Sequence, residues 1–145
     1  MATPKAVDGF TPAMQRLLMY ARVCRVASAG PRGPHVAPFC PVFDGDRTVY
    51  IETQPGKLTV RNLAHSRDVV LLVDDYLEDW SKLWMLSLTG SGRTLKEGAE
   101  FEKAASLLRQ KFPQFDGMGQ KVSFALAINI TGVRNAEGVA ETPKH

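Results

Sequence analysis

Cysteine is scarce in this sequence: Cys24 and Cys40 are the two in 145 residues. They form no CxxC pair and share no zinc-like spacing with histidine, which excludes a dithiol redox motif and a zinc finger. The three histidines, His35, His65 and His145, are scattered, so no metal site is expected. No apolar run approaches the ~20 residues that cross a bilayer, and no membrane partner is expected. Residues 1–10 lack the basic, apolar and small-residue order of a secretory signal. Two thiols in a reducing cytoplasm are the expectation, with a Cys24–Cys40 disulfide left open by the sequence. Charge of one sign is missing too. Eighteen basic and 15 acidic residues leave a net +3, and the two signs alternate. A nucleic-acid binder concentrates its charge on one face among stacking aromatics, so no nucleic-acid partner is expected. Ser28, Ser81 and Ser87 have no GxSxG context, which excludes a serine hydrolase of that type.

What is present is the material of one domain. Hydrophobic residues make up 44% of the chain, enough for a core, and no repeat or domain boundary interrupts it. Residues 1–10 read as a flexible arm, 11–135 as the domain and 136–145 as a polar tail. Thr11-Pro12 reads as an N-cap and first helical position, with Met14, Leu17, Leu18 and Ala21 at helical spacing up to about Arg22. Strands are expected over 23–29, 35–43, 48–53, 69–73, 83–95 and 124–130. Gly30 to Pro34 and Asp44-Gly45-Asp46 read as the turns between the first three. Pro38 and Pro41 cannot donate to a ladder, which places their strand at an edge. Val69 to Val73 is a solid apolar run, the pattern of a strand buried on both faces. A short helix is expected within 54–64. A longer one over 97–112 carries a stripe of Phe101, Ala104, Ala105, Leu108 and Phe112. Its acids lie early and its bases late, complementing the helix dipole. Six strands joined by tight turns predict a mainly β (α+β) fold: a six-stranded antiparallel split β-barrel with flanking helices.

Three patterns could carry chemistry. The third strand runs into Thr53-Gln54-Pro55-Gly56-Lys57, then a helix with Arg61 and Asn62. Lys57 and Arg61 share a helical face, where an anion would relieve their repulsion, and helix-start amides attract phosphate. The same pair also fits a solvated basic face. Pro38-Phe39-Cys40-Pro41-Val42 lacks two backbone donors, which leaves carbonyls and amides free to meet a flat ring, or makes a plain edge strand. Trp80 and Trp84 could stack on such a ring or simply pack. The acids Asp74, Asp75, Glu78 and Asp79 lack EF-hand spacing and read as a solvated loop.

The stretch from Val49 to Leu95, with VYIETQPGKLTVRNL and then DDYLEDWSKLW, resembles the split β-barrel family of pyridoxamine 5′-phosphate oxidase and the deazaflavin-dependent reductases. The resemblance covers most of residues 12–134. The DDYLEDWSKLW run is most similar to a probable coenzyme F420-dependent subgroup. The resemblance implies a homodimer with FMN or coenzyme F420 in a groove between two barrels. It implies Thr53, Lys57 and Arg61 at the cofactor phosphate, with Asn62 beside them, and Pro38 to Val42 along the ring. Trp80, Trp84 and Met85 would approach the ring from the partner chain. The chain departs from the subgroup at Met85, where a second tryptophan is usual, and at Thr131 to Asn135, where the last strand lacks its tryptophan. Ala37 and its neighbours stand where true pyridoxamine phosphate oxidases carry basic residues, which argues against that substrate. The implied activity is hydride transfer between FMN or coenzyme F420 and a small conjugated organic molecule. A non-catalytic flavin or haem carrier is the alternative.

Overall fold

The structure is a computed structural model and describes residues 6–139. Helix α1 (Pro12–Tyr20) opens where the cap pattern puts it, with Thr11 Oγ1 accepting from the Met14 amide at 3.2 Å. Strands β1 (Cys24–Gly30) and β2 (Gly33–Phe39) form a hairpin around Pro31-Arg32. Gly33, at φ 95, takes a conformation that side-chain-bearing residues rarely adopt. After β3 (Pro41–Phe43), Asp44 Oδ1 accepts from the amides of Asp46, Arg47 and Thr48, turning the chain into β4 (Thr48–Glu52). Then come α2 (Leu58–Leu63), β5 (Asp68–Asp75), a 3-10 turn (Trp80–Lys82), β6 (Trp84–Leu95), α3 (Ala99–Lys111), α4 (Gln114–Gly117) and β7 (Ala125–Glu137).

All pairings are antiparallel, in the order β2-β1-β5-β6-β7-β4-β3. The two edges of this sheet are consecutive in the chain, with Cys40 alone between them. The sheet therefore curls until its edges meet at a corner, giving a split barrel. The segment expected as one strand over 35–43 is two strands, which makes seven in place of six. Both prolines lie on edge strands, where a missing donor breaks no ladder. Bulges between Ser87/Leu88 and Thr89/Gly90 help bend the long β6–β7 pair. Gly90 sits at the bend, where a Cβ would come within 2.6 Å of Ile128 Cγ2.

The barrel interior is filled by Leu18, Val26, Val49, Ile51, Leu71, Leu88, Ile128 and their neighbours. Outside β3 and β4, a second cluster packs Val42, Tyr50 and Ala127 against the α3 stripe. Phe10 also enters the core, edge-on to Phe43 with ring centroids 5.8 Å apart, so the described end of the expected arm is tied down. Residues 1–5 and 140–145 lie outside the described residues. The last strand outruns its apolar alternation because β6 pairs with it as far as Glu137, and Ala136 packs on the core. The Val69–Val73 run is not buried on both faces: Val69, Leu71 and Val73 point inward, whereas Val70 and Leu72 are half-buried. Among the described residues no helix is long and apolar enough to cross a membrane.

Candidate functional site

A groove of about 820 Å³ opens where β2, the end of β4 and the start of α2 come together. His35, Ala37, Pro38 and Phe39 line it from β2, and Glu52, Thr53 and Gln54 from the exit of β4. Lys57, Leu58 and Thr59 enter from the start of α2, and Gln120 and Lys121 from the segment before β7. Alternation along β2 turns His35, Ala37 and Phe39 to one face. The Thr53 amide donates to the Phe124 carbonyl at 3.2 Å, which ties the β4 exit to the segment carrying Lys121.

The polar groups here are unevenly matched. Thr53 is 4% exposed and Thr59 is 1% exposed, and neither hydroxyl has a hydrogen-bond partner in the protein. Burying a hydroxyl unpaired carries a desolvation cost of about 1–3 kcal/mol. Glu52 is the groove's one carboxylate. Burial pushes its pKa up, opposed by a 3.1 Å hydrogen bond from Gln54 Nε2 and by the charge of Lys57. The groove thus combines two lysines, two spare hydroxyls and one imidazole with a single carboxylate. A phosphate ester is the ligand chemistry that such a donor surplus suits.

Of the residues singled out in the sequence, Pro38, Phe39, Thr53 and Lys57 share this groove. Arg61 is exposed and does not line it. Asn62 is buried under the β1–β2 hairpin, where its Nδ2 donates to Ser28 Oγ at 3.1 Å. A Cβ on Gly30 would lie 2.2 Å from Asn62 Oδ1, so the position of that amide depends on a glycine. Asn62 fastens α2 to the barrel. Pro41 and Val42 are buried in β3, with Val42 in the cluster under α3.

Cys40, at the corner, is exposed and lines a smaller hollow of about 370 Å³ with Arg22, Phe112, Phe115, Met118 and Gln120. Gln120 belongs to both hollows. Both cysteines are free, and burial pushes the Cys24 thiol up to about 12. Near them Lys111 donates to the carbonyls of Ala21 and Pro41 at 2.5 and 2.7 Å. Burial, helped by the charge of Arg22, pushes its pKa down to about 8. Trp80 stands 72% exposed on the 3-10 turn. Trp84 and Met85 line a separate cleft with Asp74, Asp75 and Tyr76. Within one chain these three do not line the groove.

His35, Thr59, Gln120 and Lys121 line the groove, and reading the sequence did not single them out. Thr59 had a signal, lying two residues after Lys57 at the helix start. The others come from segments whose approach depends on closure of the sheet.

Residues 10–135, nearly the whole described chain, match the family of pyridoxamine 5′-phosphate oxidase. The chain belongs to the pyridoxamine 5′-phosphate oxidase family. No curated protein sequence matches it. Among solved structures of the same fold, a conserved hypothetical protein of Mycobacterium tuberculosis superposes with a TM-score of 0.69 at 18% identity, covering 93% of this chain and 88% of that one. An FAD-binding protein of Mesorhizobium loti gives 0.67 at 19%, covering 81% and 85%. The haem storage protein HutZ of Vibrio cholerae gives 0.62 at 13%, covering 92% and 94%. At these identities the likeness establishes a shared fold. That fold hosts proteins named for flavin and for haem.

Proposed function

We propose that the protein is a flavin- or deazaflavin-dependent oxidoreductase that binds FMN or coenzyme F420 in this groove and acts on a small conjugated organic substrate. The observation that carries the reading is that Thr53, whose hydroxyl has no partner, and Lys57 line one groove at the exit of β4. Both residues belong to the stretch that resembles the family's phosphate motif, and their chemistry suits a phosphate ester. Thr53 and Lys57 would hold the phosphate, and Pro38 and Phe39 would pack along the ring. Glu52, held by Gln54, can accept a hydroxyl from the chain linking phosphate and ring. When bound, the ring supplies the hydride transfer, and the protein orients it and limits water's access.

Two chains would complete the site. The outer face of the sheet carries an uncharged row, Val36-Ala27-Val70-Thr89-Gly132, in register across β2, β1, β5, β6 and β7. Val36 is 63% exposed, and the inward neighbours Val26, Leu71 and Leu88 are fully buried. An uncharged band of this kind suits a two-fold partner. Such a homodimer would bring the second chain's Trp80, Trp84 and Met85 toward the ring. His35 in the groove favours one further reading, a haem carrier, because imidazole is a common haem ligand.

Spectra separate these readings, since FMN, oxidised deazaflavin and haem absorb differently. The decisive experiment titrates Lys57→Ala with FMN, coenzyme F420 and riboflavin. Losing one charge-assisted phosphate contact should weaken a phosphorylated ligand by about ten- to a hundred-fold. Riboflavin, with the ring and no phosphate, should bind as before. Equal loss of both would make Lys57 structural, and full retention of FMN and coenzyme F420 would move the phosphate elsewhere.

A further inference from the structure

The hollow at the Cys40 corner carries positive charge that the protein leaves uncompensated. Arg22 lines it and is fixed by two contacts. Its Nη1 donates to the Lys111 carbonyl at 3.2 Å, and its guanidinium carbon lies 4.4 Å from the centre of the Phe112 ring. A guanidinium has several N–H donors, and this is the one hydrogen bond that Arg22 forms among the described residues. It forms no ion pair among them either. Lys111 Nζ lies 5.4 Å from the centre of the same ring, and the charges acting on it are those of Arg22, Cys24 and Cys40. Two cations thus share one aromatic ring, and among the described residues no carboxylate lines the hollow. Much of the remaining wall is apolar: Phe112, Phe115 and Met118, the last 70% exposed. At about 370 Å³ the hollow has the size of a small-molecule site. It adjoins the groove, because Gln120 lines both and Cys40 directly follows Phe39 of the groove wall.

We infer that this hollow binds an organic carboxylate with a flat conjugated body, the acid on Arg22 and the body against Phe115 and Met118. Given the reading of the adjoining groove, on which this part rests, such acids are the substrate class of the proposed oxidoreductase. Carboxylate and guanidinium pair through parallel N–H···O bonds, and Arg22 has donors to spare. An inorganic anion would answer the charge and leave the apolar wall in water. A neutral ring would cover the wall and leave the charge unanswered. A conjugated acid does both, and aromatic and thioether side chains make a polarisable surface for its flat part. A cation at the end of α3 is ordinary helix capping, which accounts for one N–H of Arg22 but not for the apolar wall beside it.

The chain carries its own reporter for this site. Cys24 is fully buried, whereas Cys40 is exposed in the hollow, so a thiol reagent reads Cys40. The full chain is alkylated with iodoacetamide in the presence of trans-cinnamate, cinnamamide or acetate, and modification of Cys40 is followed by mass spectrometry. The concentration that halves the rate should be about five- to tenfold lower for cinnamate than for cinnamamide, and acetate should not protect. Arg22→Gln should abolish the preference for the acid, and Arg22→Lys should keep part of it. The preference is a ratio within one variant, so a change in the thiol's own reactivity does not move it. Met118→Glu, at an exposed position that folding does not depend on, should weaken cinnamate by about fivefold and leave cinnamamide unchanged. Equal protection by acid and amide, protection by acetate, no protection in wild type, or a preference that survives both Arg22→Gln and Met118→Glu would overturn the inference. None of these measurements needs a flavin. If cinnamate protects but the protein binds neither FMN nor coenzyme F420, the carboxylate site stands and its role as substrate subsite falls. If cinnamate fails to protect while Lys57→Ala loses FMN selectively, the proposed function survives without this site.

Discussion

Two polar clusters lie against β4, and they are built on opposite terms. On the α3 side the groups match one another. Glu100 accepts from both Nη atoms of Arg93 and from the Tyr50 hydroxyl at 2.9 Å. Arg93 Nη2 also reaches Asn129 Oδ1 at 3.4 Å, and the Thr48 hydroxyl meets the same oxygen at 3.2 Å. Donors and acceptors are balanced, and the cluster joins α3 to β4, β6 and β7. On the groove side donors exceed acceptors, and the hydroxyls of Thr53 and Thr59 are left over. A polar cluster that satisfies itself holds the fold. One that cannot satisfy itself with its own side chains has donors left over for a ligand. The balance of donors and acceptors separates the two kinds where burial and charge do not.

The largest effect that would sharpen this contrast is expected at Asn62, which adjoins the groove but belongs with the satisfied groups. Asn62→Ala would remove the buried bond to Ser28 Oγ and leave a void under Gly30. Urea unfolding should show a loss of about 2–3 kcal/mol. FMN and riboflavin affinities should move together. A selective loss of FMN would break the comparison, because it would make Asn62 a phosphate ligand.

Glu100→Ala should have a smaller effect. The Arg93–Glu100 pair is about one-third exposed, at 35% and 36%, so water recovers much of what the pair contributes. The remaining loss comes from the Tyr50 hydroxyl, and a total of about 1–2 kcal/mol is expected in urea. Flavin binding should be unchanged, since α3 does not line the groove. A change in FMN affinity would show that the clusters are coupled through β4.

The smallest effect is a pH signature of the closed cluster. Burial, and then the hydrogen bond to Glu100, raises the Tyr50 pKa above its ordinary 10.0. The folded state keeps a proton that the unfolded chain releases, so the stabilisation is complete below pH 10 and declines as pH rises beyond it. Cys24 acts with the same sign between its ordinary 9.0 and about 12, so the comparison is made in a Cys24→Ala background. There, Tyr50→Phe should flatten the fall in stability above pH 10. An unchanged slope would mean that the hydroxyl is not held by the cluster.

Parts of both regions were legible in the sequence. The α3 stripe, the Thr11 cap and the Asp44 turn each depend on residues within one or two turns of chain, and the structure has each of them. Thr53 and Lys57 were legible because a strand passing into a short helix around Pro55-Gly56 is a local pattern. The division of β2 from β3 was not. Both prolines were visible, but the chain's passage from one sheet edge to the other at Cys40 depends on how far the sheet curls. Val70 and Leu72 misled for a related reason: an apolar run shows affinity for burial without saying what covers the outer face.

The sequence by itself determined most of the elements, the edge character of the proline strands and the barrel class, because helix and strand periodicity, capping and turn chemistry act over a few residues. Tertiary structure alone decided which polar groups find partners. Asn62 and Thr59 lie three residues apart on one six-residue helix, and both are buried. One side chain meets Ser28 across the hairpin, and the other meets no acceptor or donor. That difference depends on the positions of β1 and the segment before β7. Hydrogen bonds form over about 3 Å, so an unpaired hydroxyl can be identified only after distant segments have been brought into place.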